Sequence, residues 1–447
     1  MTRHTPNEEH RTPRPPGRKP IRAEIDEGAL DRDALRVVTR LQHHGYEAYF
    51  VGGCVRDLLI GRDPKDYDVA TSAHPRDIKR IFRNGRIIGR RFRLVHIYYG
   101  DNIIETATFR ADPQPGPDDN GAEGDLLIVE DNEFGTAEED ARRRDFTVNG
   151  LFLDPETNRI LDYVDGMRDL EHRVLRTIGD PEVRLAEDPV RILRAIKFAT
   201  RLDFRIEDQT WAAMTALSGH LSRAAPPRVL EEIMRLLRSG TALGAFRMLR
   251  ACGALAVLLP QIDEYLGPRE TPDRAAVERA GHFWRLLEAL DAEVHRGYEP
   301  SSAVCIAVMF LHIIEREADA ETRTLPGAPG EIGDVCWEVI DELSTTARLS
   351  RRDFGRARRI IVQQSRFTLP KSNRFSPLLF TLTEDFPESL ELFGLRVEAR
   401  GQGWDIYEGW RDRFNRAKSA SDEDLEAERR SVRKRRRPRR RKRRGRR

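Results

Sequence analysis

The chain has 447 residues, which is long enough for two or three domains with buried cores. Its formal net charge of +3 conceals a strong asymmetry, because residues 429–447 hold 15 Lys and Arg side chains and no acid, which leaves −12 for the remainder. The four cysteines form no CxxC pair, so neither a zinc site nor a disulfide framework is indicated.

Compartment and partners follow from the same features. No apolar run is long enough to span a bilayer, and the N-terminus lacks the apolar stretch of a signal peptide. We therefore expect a cytoplasmic protein without a transmembrane segment, and we expect a monomer. The basic end favours a polyanion such as RNA, although a solubility tail or a tether to a membrane surface has the same composition.

The first part of the chain mixes strands and helices. Residues 1–24 are rich in Pro and Arg and predict a disordered arm. A helix is expected from Asp31, and Pro, Gly and Asp at 111–125 predict a flexible loop. The other predicted elements of this part are strands 48–51, 67–70, 92–99, 103–109, 151–153 and 160–164, and helices 55–60 and 75–82.

After Asp180 the apolar residues recur at helical spacing. The pattern predicts an α+β fold, in which a small mixed-sheet head precedes a long helical body and both termini are disordered. Predicted helices cover 190–202, 229–237, 243–259, 283–294 and 302–314. The predicted domains are an arm (1–24), a head of strands and helices (25–180), a helical neck (181–270), a helical body (271–418) and a basic tail (419–447).

Asp66 and Asp68 flank one residue of a predicted strand, so both carboxylates face the same side. Two such carboxylates repel unless a cation lies between them, and magnesium commonly binds one or two carboxylates together with substrate phosphates. The pair suits a two-metal site for phosphoryl transfer. Taken alone, the same pattern is most often a pair of solvated surface acids.

Gly52 and Gly53 precede this pair of aspartates in the sequence. They lie between the end of one predicted strand and the start of a helix. Such glycines let backbone N–H groups approach a phosphate, and Arg56 offers a charged contact. The alternative is a simple tight turn. The whole unit of strand, turn, helix and Asp-x-Asp strand is the more specific signal.

Two later segments add charged groups. Arg142, Arg143 and Arg144 precede Asp145, a combination that suits a triphosphate beside a metal but also occurs at solvated helix ends. In the second segment Asp188, Arg191 and Arg194 share one helix face. These three side chains can read the edge of a base, or form no more than a capped helix with an ion pair.

Two strand residues remain ambiguous. Glu105 occupies an alternating strand position that faces either the cleft or solvent, and it is a candidate for an additional acidic residue. His96 lies in an apolar strand and is expected to be structural.

Together, segments 52–68, 143–149 and 187–195 resemble the class II nucleotidyltransferases, the family of bacterial poly(A) polymerases and CCA-adding tRNA enzymes. The resemblance extends through 227–232 and 258–260 and weakens beyond about residue 270. Segments 88–96, 104–110 and 131–135, the loop and the basic tail are similar to the poly(A) polymerase branch. Lys197 and Gly150 depart slightly from the family pattern.

The resemblance implies a role for each matching residue. Asp66 and Asp68 would hold two Mg²⁺ ions, and Asp145 would be the third catalytic acid. ATP would be the substrate, and its binding residues would be Gly52, Gly53, Arg56, Arg143, Arg144, Asp188, Arg191 and Arg194. The tail residues expected to bind RNA are Arg433, Lys434, Arg435, Arg436, Arg437, Arg439, Arg440, Arg441 and Lys442.

The implied activity is template-independent addition of AMP to RNA 3′ ends, as in mRNA polyadenylation that promotes RNA decay, with the RNA-decay machinery as a further expected partner. CCA addition to tRNA uses the same head and is the close alternative. A noncatalytic RNA-binding protein on the same scaffold is a second alternative, which the joint presence of Asp66, Asp68 and Asp145 disfavours. A P-loop NTPase is disfavoured because no Gly-Lys-Ser or Gly-Lys-Thr occurs.

Overall fold

The computed structural model describes residues 21–22, 25–89, 93–111, 133–324, 331–346, 350–368 and 376–419, together with 421, 423 and 425–430. The N-terminal arm up to residue 20, nearly all of the predicted loop 111–125 and the basic tail from 431 lie outside these residues. The chain divides into two compact units between His220 and Leu221, inside the predicted neck 181–270.

The first unit combines strands and helices, as the sequence predicts. Its elements are β1 (Ile21–Arg22), α1 (Arg32–His43), β2 (Ala48–Val51), α2 (Gly53–Leu59), β3 (Asp68–Thr71), α3 (Pro75–Ile81), β4 (Gly85–Ile88), β5 (Leu94–Tyr99), β6 (Asn102–Thr108), α4 (Ala137–Arg143), β7 (Leu151–Asp154), β8 (Arg159–Asp162), α5 (Gly166–Glu171), β9 (Val174–Leu175), α6 (Pro181–Glu187), α7 (Val190–Leu202), β10 (Arg205–Ile206) and α8 (Asp208–Leu217).

The described strands of the head form one mixed sheet in the order β1-β8-β7-β2-β3-β6-β5-β4. β3 and β6 run parallel, whereas the other neighbouring pairs are antiparallel. This confirms the predicted mixed-sheet head. Ile21 and Arg22, which the sequence places in a disordered arm, instead pair with Ile160 and Arg159 at one edge of the sheet.

Aromatic packing fixes the centre of the head. Tyr49 of β2, Phe109 after β6 and Phe152 of β7 are buried together, with the rings of Tyr49 and Phe109 stacked at 6.1 Å between centroids. All four residues of β2 are buried, with Tyr49 and Val51 in this cluster and Phe50 on the other face of the strand. The end of β2 is thereby held where the Gly52 turn begins.

The second unit is helical in its described residues. Its helices are α9 (Pro226–Leu237), α10 (Ala242–Ala251), α11 (Ala254–Leu258), α12 (Pro260–Leu266), α13 (Arg274–His295), α14 (Ser302–Thr324), α15 (Glu331–Thr346), α16 (Arg351–Thr368), α17 (Pro377–Thr381), α18 (Phe386–Arg400) and α19 (Trp404–Lys418). Residues 425–430, at the start of the predicted tail, are also helical.

The predicted helix 243–259 is wrong as a single element. The helix is interrupted between α10 and α11 at Gly253, whose φ of +85° lies in a region that glycine adopts without strain.

Toward the end of the second unit lies an aromatic core. It contains Phe367, Phe386, Phe393 and Trp410. All four cysteines of the chain are buried and free.

None of the helices that the structure describes combines the length and the apolar character needed to cross a bilayer.

Candidate active site

The turn between β2 and α2 requires glycine at its first position. Gly52 has φ +74° and ψ −127°, a conformation open essentially only to glycine, and its N–H donates to the carbonyl of Leu151 at 3.2 Å. A Cβ atom there would lie 3.0 Å from Nη1 of Arg144. Gly52 therefore serves both the turn and the close approach of an arginine.

The Asp-x-Asp pair lies at the start of the adjacent strand. Asp66 and Asp68 are exposed, whereas Tyr67 between them is buried and donates its hydroxyl to the carbonyl of Ala29 at 2.7 Å. Both aspartates remain accessible beside this anchored tyrosine, although only Asp68 lies within β3, which begins one residue later than predicted. Asp68 opposes Val51, the residue before Gly52, so the two motifs lie side by side.

Asp68 has an unusual electrostatic environment. Partial burial, and then the negative charges of Glu105 and Asp66, raise the pKa of Asp68 to about 6, although Arg144 opposes the shift. The carboxylate keeps access to solvent. Three acidic groups and one arginine therefore lie within electrostatic range of one another here, a composition found in sites that receive a cation.

Glu105 faces this group of acids. It is the direct partner of Asp68 in the parallel pairing of β3 with β6, and its side chain is 53% exposed. Its Oε1 lies 3.3 Å from Nε2 of His96, the opposing residue on β5. The structure thus brings Glu105 toward the Asp-x-Asp pair, and His96 contacts the far side of Glu105.

Arg144 is the basic residue that shares this region. Its Nη2 donates to Oδ2 of Asp140 at 2.9 Å, and its guanidinium lies 5.2 Å from the centroid of the Phe152 ring. These contacts hold the side chain beside Gly52 and within the electrostatic range of Asp68. A fixed positive charge next to carboxylates is the arrangement that a polyphosphate with its counterions requires.

Arg56 occupies a different environment. It is only 2% exposed, and it donates to Oδ1 of Asp57 at 2.7 and 2.8 Å and to Oδ1 of Asn149 at 2.6 Å. The ring of Phe198 lies 5.2 Å from the guanidinium carbon. In this structure Arg56 joins α2 to the rest of the head, and its role toward the triphosphate stays a prediction.

Asp145 is likewise used inside the head. Its Oδ2 lies 2.6 Å from Nη2 of Arg194, and its Oδ1 accepts from the N–H of Phe146 at 2.9 Å and from Nδ2 of Asn149 at 3.2 Å. Burial alone would raise the pKa of Asp145, but Arg194 and these hydrogen bonds more than offset it, so the pKa is lowered. Its place as a third catalytic acid stays a prediction.

The segment expected to contact the base joins α6 to α7. Asp188 follows the last residue of α6 and accepts from the N–H of Val190 at 3.3 Å, and α7 begins at Val190, as predicted. Arg191 is 9% exposed and donates to the carbonyl of Arg184 at 2.6 Å and to Glu187 at 3.2 Å. These contacts fix the junction.

The carbonyl of Arg143 accepts from Nη2 of Arg184 at 2.6 Å, which connects the arginine run to α6. The sequence did not predict that Asn149 would accept a hydrogen bond from Arg56 and donate one to Asp145. The only signal was its place at the end of segment 143–149. The tail residues Arg433 to Lys442 lie outside the described residues.

The donor set is compatible with magnesium. Among the described residues, no group of three His, Cys, Asp or Glu side chains is arranged to hold a metal ion. Asp66 and Asp68 nevertheless offer hard oxygen donors within electrostatic range of each other, and Glu105 pairs with Asp68 across β3 and β6. Magnesium sites of one or two carboxylates completed by substrate phosphates have this composition.

Comparison with known proteins gives matches over most of the chain. Residues 48–176 match the model of the poly(A) polymerase head domain, and residues 203–266 match a model described as a probable RNA- and SrmB-binding site of polymerase A. Poly(A) polymerase I of Haemophilus influenzae is 44% identical over 255 residues, which cover 56% of this chain and 56% of that protein.

Relatives of the CCA-adding type match as well. The CCA-adding enzyme of Lactobacillus delbrueckii subsp. bulgaricus is 34% identical over 263 residues, which cover 58% of this chain and 63% of that protein. The crystal structure of the Bacillus stearothermophilus CCA-adding enzyme in complex with CTP shares the fold, with a TM-score of 0.60 at 24% identity over 86% of this chain and 82% of that one. The chain therefore spans less than two thirds of the length of the relatives matched by sequence.

Proposed function

We propose that this chain adds AMP from ATP to the 3′ ends of RNA without a template, because residues 48–176 match the model of the poly(A) polymerase head domain. One observation carries the proposal. The Gly52 turn, the Asp66 and Asp68 carboxylates and the Arg144 guanidinium converge at the adjacent ends of β2 and β3. A nucleoside triphosphate needs these three kinds of group.

The reaction is an in-line displacement at the α-phosphorus of ATP. The 3′-oxygen of RNA forms the new P–O bond, the bond to pyrophosphate breaks, and no covalent enzyme intermediate is required. Asp66 and Asp68 would hold two Mg²⁺ ions, which supply acidification of the 3′-hydroxyl and neutralisation of the departing pyrophosphate. Glu105 adds negative potential beside this pair.

Other residues position the nucleotide. The Gly52–Gly53 turn allows close approach of the phosphates to the start of α2, and Arg144 supplies a fixed positive charge. Asp188 and Arg191, at the rigid α6–α7 junction, are proposed to contact the base. Asp145 and Arg194 hold segment 143–149 against α7, and Arg56 holds α2, so these residues act by positioning in the state described.

RNA is the proposed polymer substrate. The match of residues 203–266 to an RNA-binding model supports this assignment, as does the concentration of Arg and Lys at 429–447. We place the activity in mRNA polyadenylation in the cytoplasm, where the added tail promotes decay and the decay machinery is a partner.

The second candidate is CCA addition to tRNA. It is favoured by the 34% identity to a CCA-adding enzyme and by the shared fold. The head chemistry is the same for both activities, so the distinction lies in which nucleotides are accepted and where addition stops.

The deciding experiment offers purified protein with magnesium a short unstructured RNA or a tRNA lacking its 3′ CCA. Each RNA receives ATP alone, CTP alone, or both. Long ladders on the unstructured RNA with ATP alone are the expected result. Addition confined to the tRNA, ending at CCA and requiring both nucleotides, would establish the second candidate instead, and no product on either RNA would contradict both.

A further inference from the structure

The helical second unit contains a cavity of about 340 Å³, at the lower end of the range for small-molecule pockets. It lies among α12, α13, α14 and α18, and most of the side chains that line it are charged or polar. Two acids, Glu315 and Asp319, line the cavity, and they are outnumbered by the basic residues. The basic lining residues are Arg279, His282, Arg285, His312, Arg316, Arg396 and Arg400.

The negative charge of Glu315 is already engaged. Nη2 of Arg396 donates to its Oε1 at 2.6 Å, and Nδ1 of His312 lies 3.4 Å from its Oε2. Both carboxylate oxygens therefore face basic partners. The other lining acid, Asp319, is exposed. The cavity keeps an excess of positive charge.

Arg396 provides the second observation. It is only 9% exposed, and its Nε is buried with no hydrogen-bond acceptor among the described residues. Its Nη1 reaches Oε1 of Gln364 only at 3.5 Å. Native proteins rarely leave such a buried donor unsatisfied. Because Arg396 lines the cavity, its incompletely satisfied guanidinium adds positive charge to the cavity wall.

Two further arginines add positive charge at the cavity. Arg285 and Arg400 are exposed, and within the described part of the chain neither forms an ion pair or hydrogen bond, although Arg400 is attracted electrostatically to Glu315. Their field reaches His282, since partial burial and then the positive charges of His312, Arg285 and Arg400 lower the pKa of that ring, against the opposing charge of Glu278. Positive potential therefore converges at the mouth of the cavity.

We propose that this cavity binds a phosphate group. Guanidinium groups bind phosphate oxygens through paired, charge-assisted hydrogen bonds, and a phosphate has enough acceptor sites for Arg396 and the two exposed arginines together. A free phosphate compound and the backbone of RNA both present this group. The site belongs to the second unit and does not depend on the activity proposed for the head.

The test uses the ring signals of His282 and His312, which line the cavity with centroids 6.0 Å apart. The full-length protein is labelled at histidine and examined by NMR in EDTA, which suppresses metal-dependent binding in the head. Sodium pyrophosphate and, separately, a short oligoribonucleotide are titrated. Saturable shifts of these two signals are the expected result.

The variant pair is Arg285→Gln with Arg400→Gln, and Arg352→Gln is the matched control. All three arginines are exposed, so these changes leave the fold intact, but Arg352 on α16 does not line the cavity. The double variant should raise the dissociation constant at least about tenfold, because it removes two charge-assisted contacts. The control should bind like the unmodified protein.

The two ligands identify the source of the phosphate. Shifts with pyrophosphate that the oligoribonucleotide does not displace indicate a free phosphate compound. Shifts caused by the oligoribonucleotide and reversed by pyrophosphate indicate the RNA backbone. The proposal is overturned if neither ligand moves the two ring signals, or if the double variant binds as tightly as Arg352→Gln.

Discussion

At the scale of single residues, Gly52 is constrained twice, by its backbone and by its neighbour. Its φ of +74° excludes side chains, and an added Cβ would meet Nη1 of Arg144 at 3.0 Å. Gly45 also has positive φ, at +84°, but a Cβ there would meet nothing within 4 Å. The two glycines separate the cost of backbone strain from the cost of displacing Arg144.

Gly52→Ala should therefore lower both stability and activity, whereas Gly45→Ala should lower stability alone. We expect about 1–3 kcal/mol of destabilisation at Gly52 and about 1–2 kcal/mol at Gly45. Denaturant unfolding measures the stability of each variant, and RNA extension with ATP measures its activity. Full activity of a folded Gly52→Ala protein would contradict the placement of Arg144 at the site.

The Asp145–Arg194 pair also concerns single side chains. Asp145 is buried, and Arg194 is about one third exposed, so solvent screens part of the interaction. Since the folded pKa of Asp145 is lowered, the pair stabilises the fold above the ordinary carboxyl pKa, and this contribution is lost as the pH falls through the lowered value.

Asp145→Asn should destabilise the head by about 1–3 kcal/mol at pH 7. The difference from the unmodified protein should narrow as the pH falls below about 4, where the unfolded carboxyl becomes protonated. Urea unfolding of both proteins at pH 7 and at lower pH measures this difference in stability. Asp101→Asn, in the exposed β5–β6 turn, is the control. A stability difference independent of pH would refute the ion-pair explanation.

At the scale of elements, the helices of the second unit stabilise one another through end contacts. Asp291 of α13 accepts from the N–H groups of Ala242 and Leu243 at 2.6 and 2.9 Å, and so caps the start of α10. A side chain from a distant helix replaces the usual local cap. Such a contact joins two helices that sequence periodicity alone treats as separate.

Asp291→Ala should lower stability by about 1–2 kcal/mol, because two N–H groups of α10 lose their acceptor. Glu288→Ala is the matched control, since Glu288 is an exposed acid on the same helix. Thermal unfolding of the two variants gives the comparison. Equal melting temperatures for both would show that the cap contributes nothing.

Helices, strands and turns could be predicted where their residues within a short stretch of sequence determine them. The α7 range 190–202 and the β2 strand follow directly from periodicity, and the Gly52 turn with the Asp-x-Asp strand follows from short motifs. β4 was missed because its pattern has no clear alternation with burial, and its strand character depends on pairing with β5. The break at Gly253 was missed because glycine is tolerated within helices as well as at their ends.

The environment of site residues was less predictable. Arg56 and Arg144 read alike in the sequence, yet Arg56 is buried against Asp57 and Asn149, and Arg144 approaches Gly52. Which of the two arginines is buried against an acid and which lies beside the Gly52 turn depends on the tertiary fold, not on the local sequence. The same limit applies to Glu105, whose side of the sheet is set by the parallel register with Asp68.

At the scale of the whole molecule, the charge distribution separates an acidic body from a basic end. The 15 Lys and Arg residues of 429–447 offset a remainder of −12. If this segment binds RNA phosphates, it releases counterions, and affinity then depends steeply on salt. The body alone, with its negative net charge, would bind RNA with a weaker salt dependence.

Removal of 429–447 should weaken RNA binding and flatten its salt dependence, by about 0.7 in the logarithmic slope for each phosphate of single-stranded RNA that the segment neutralises. Fluorescence anisotropy with a labelled oligoribonucleotide between low and moderate salt measures both quantities. Replacement of the segment by an uncharged sequence of equal length controls for chain length. An unchanged slope would exclude the segment from RNA binding.

The central claim is that Asp66 and Asp68 carry nucleotidyl transfer, and one measurement tests it most directly. Asp66→Ala, Asp68→Ala and the control Asp101→Ala are compared for extension of a short RNA with ATP and magnesium. All three positions are exposed, so the melting temperatures should change little. We predict that the first two variants lose activity by at least about a hundredfold while the control retains it. A folded Asp68→Ala protein that extends RNA at the unmodified rate would contradict the account.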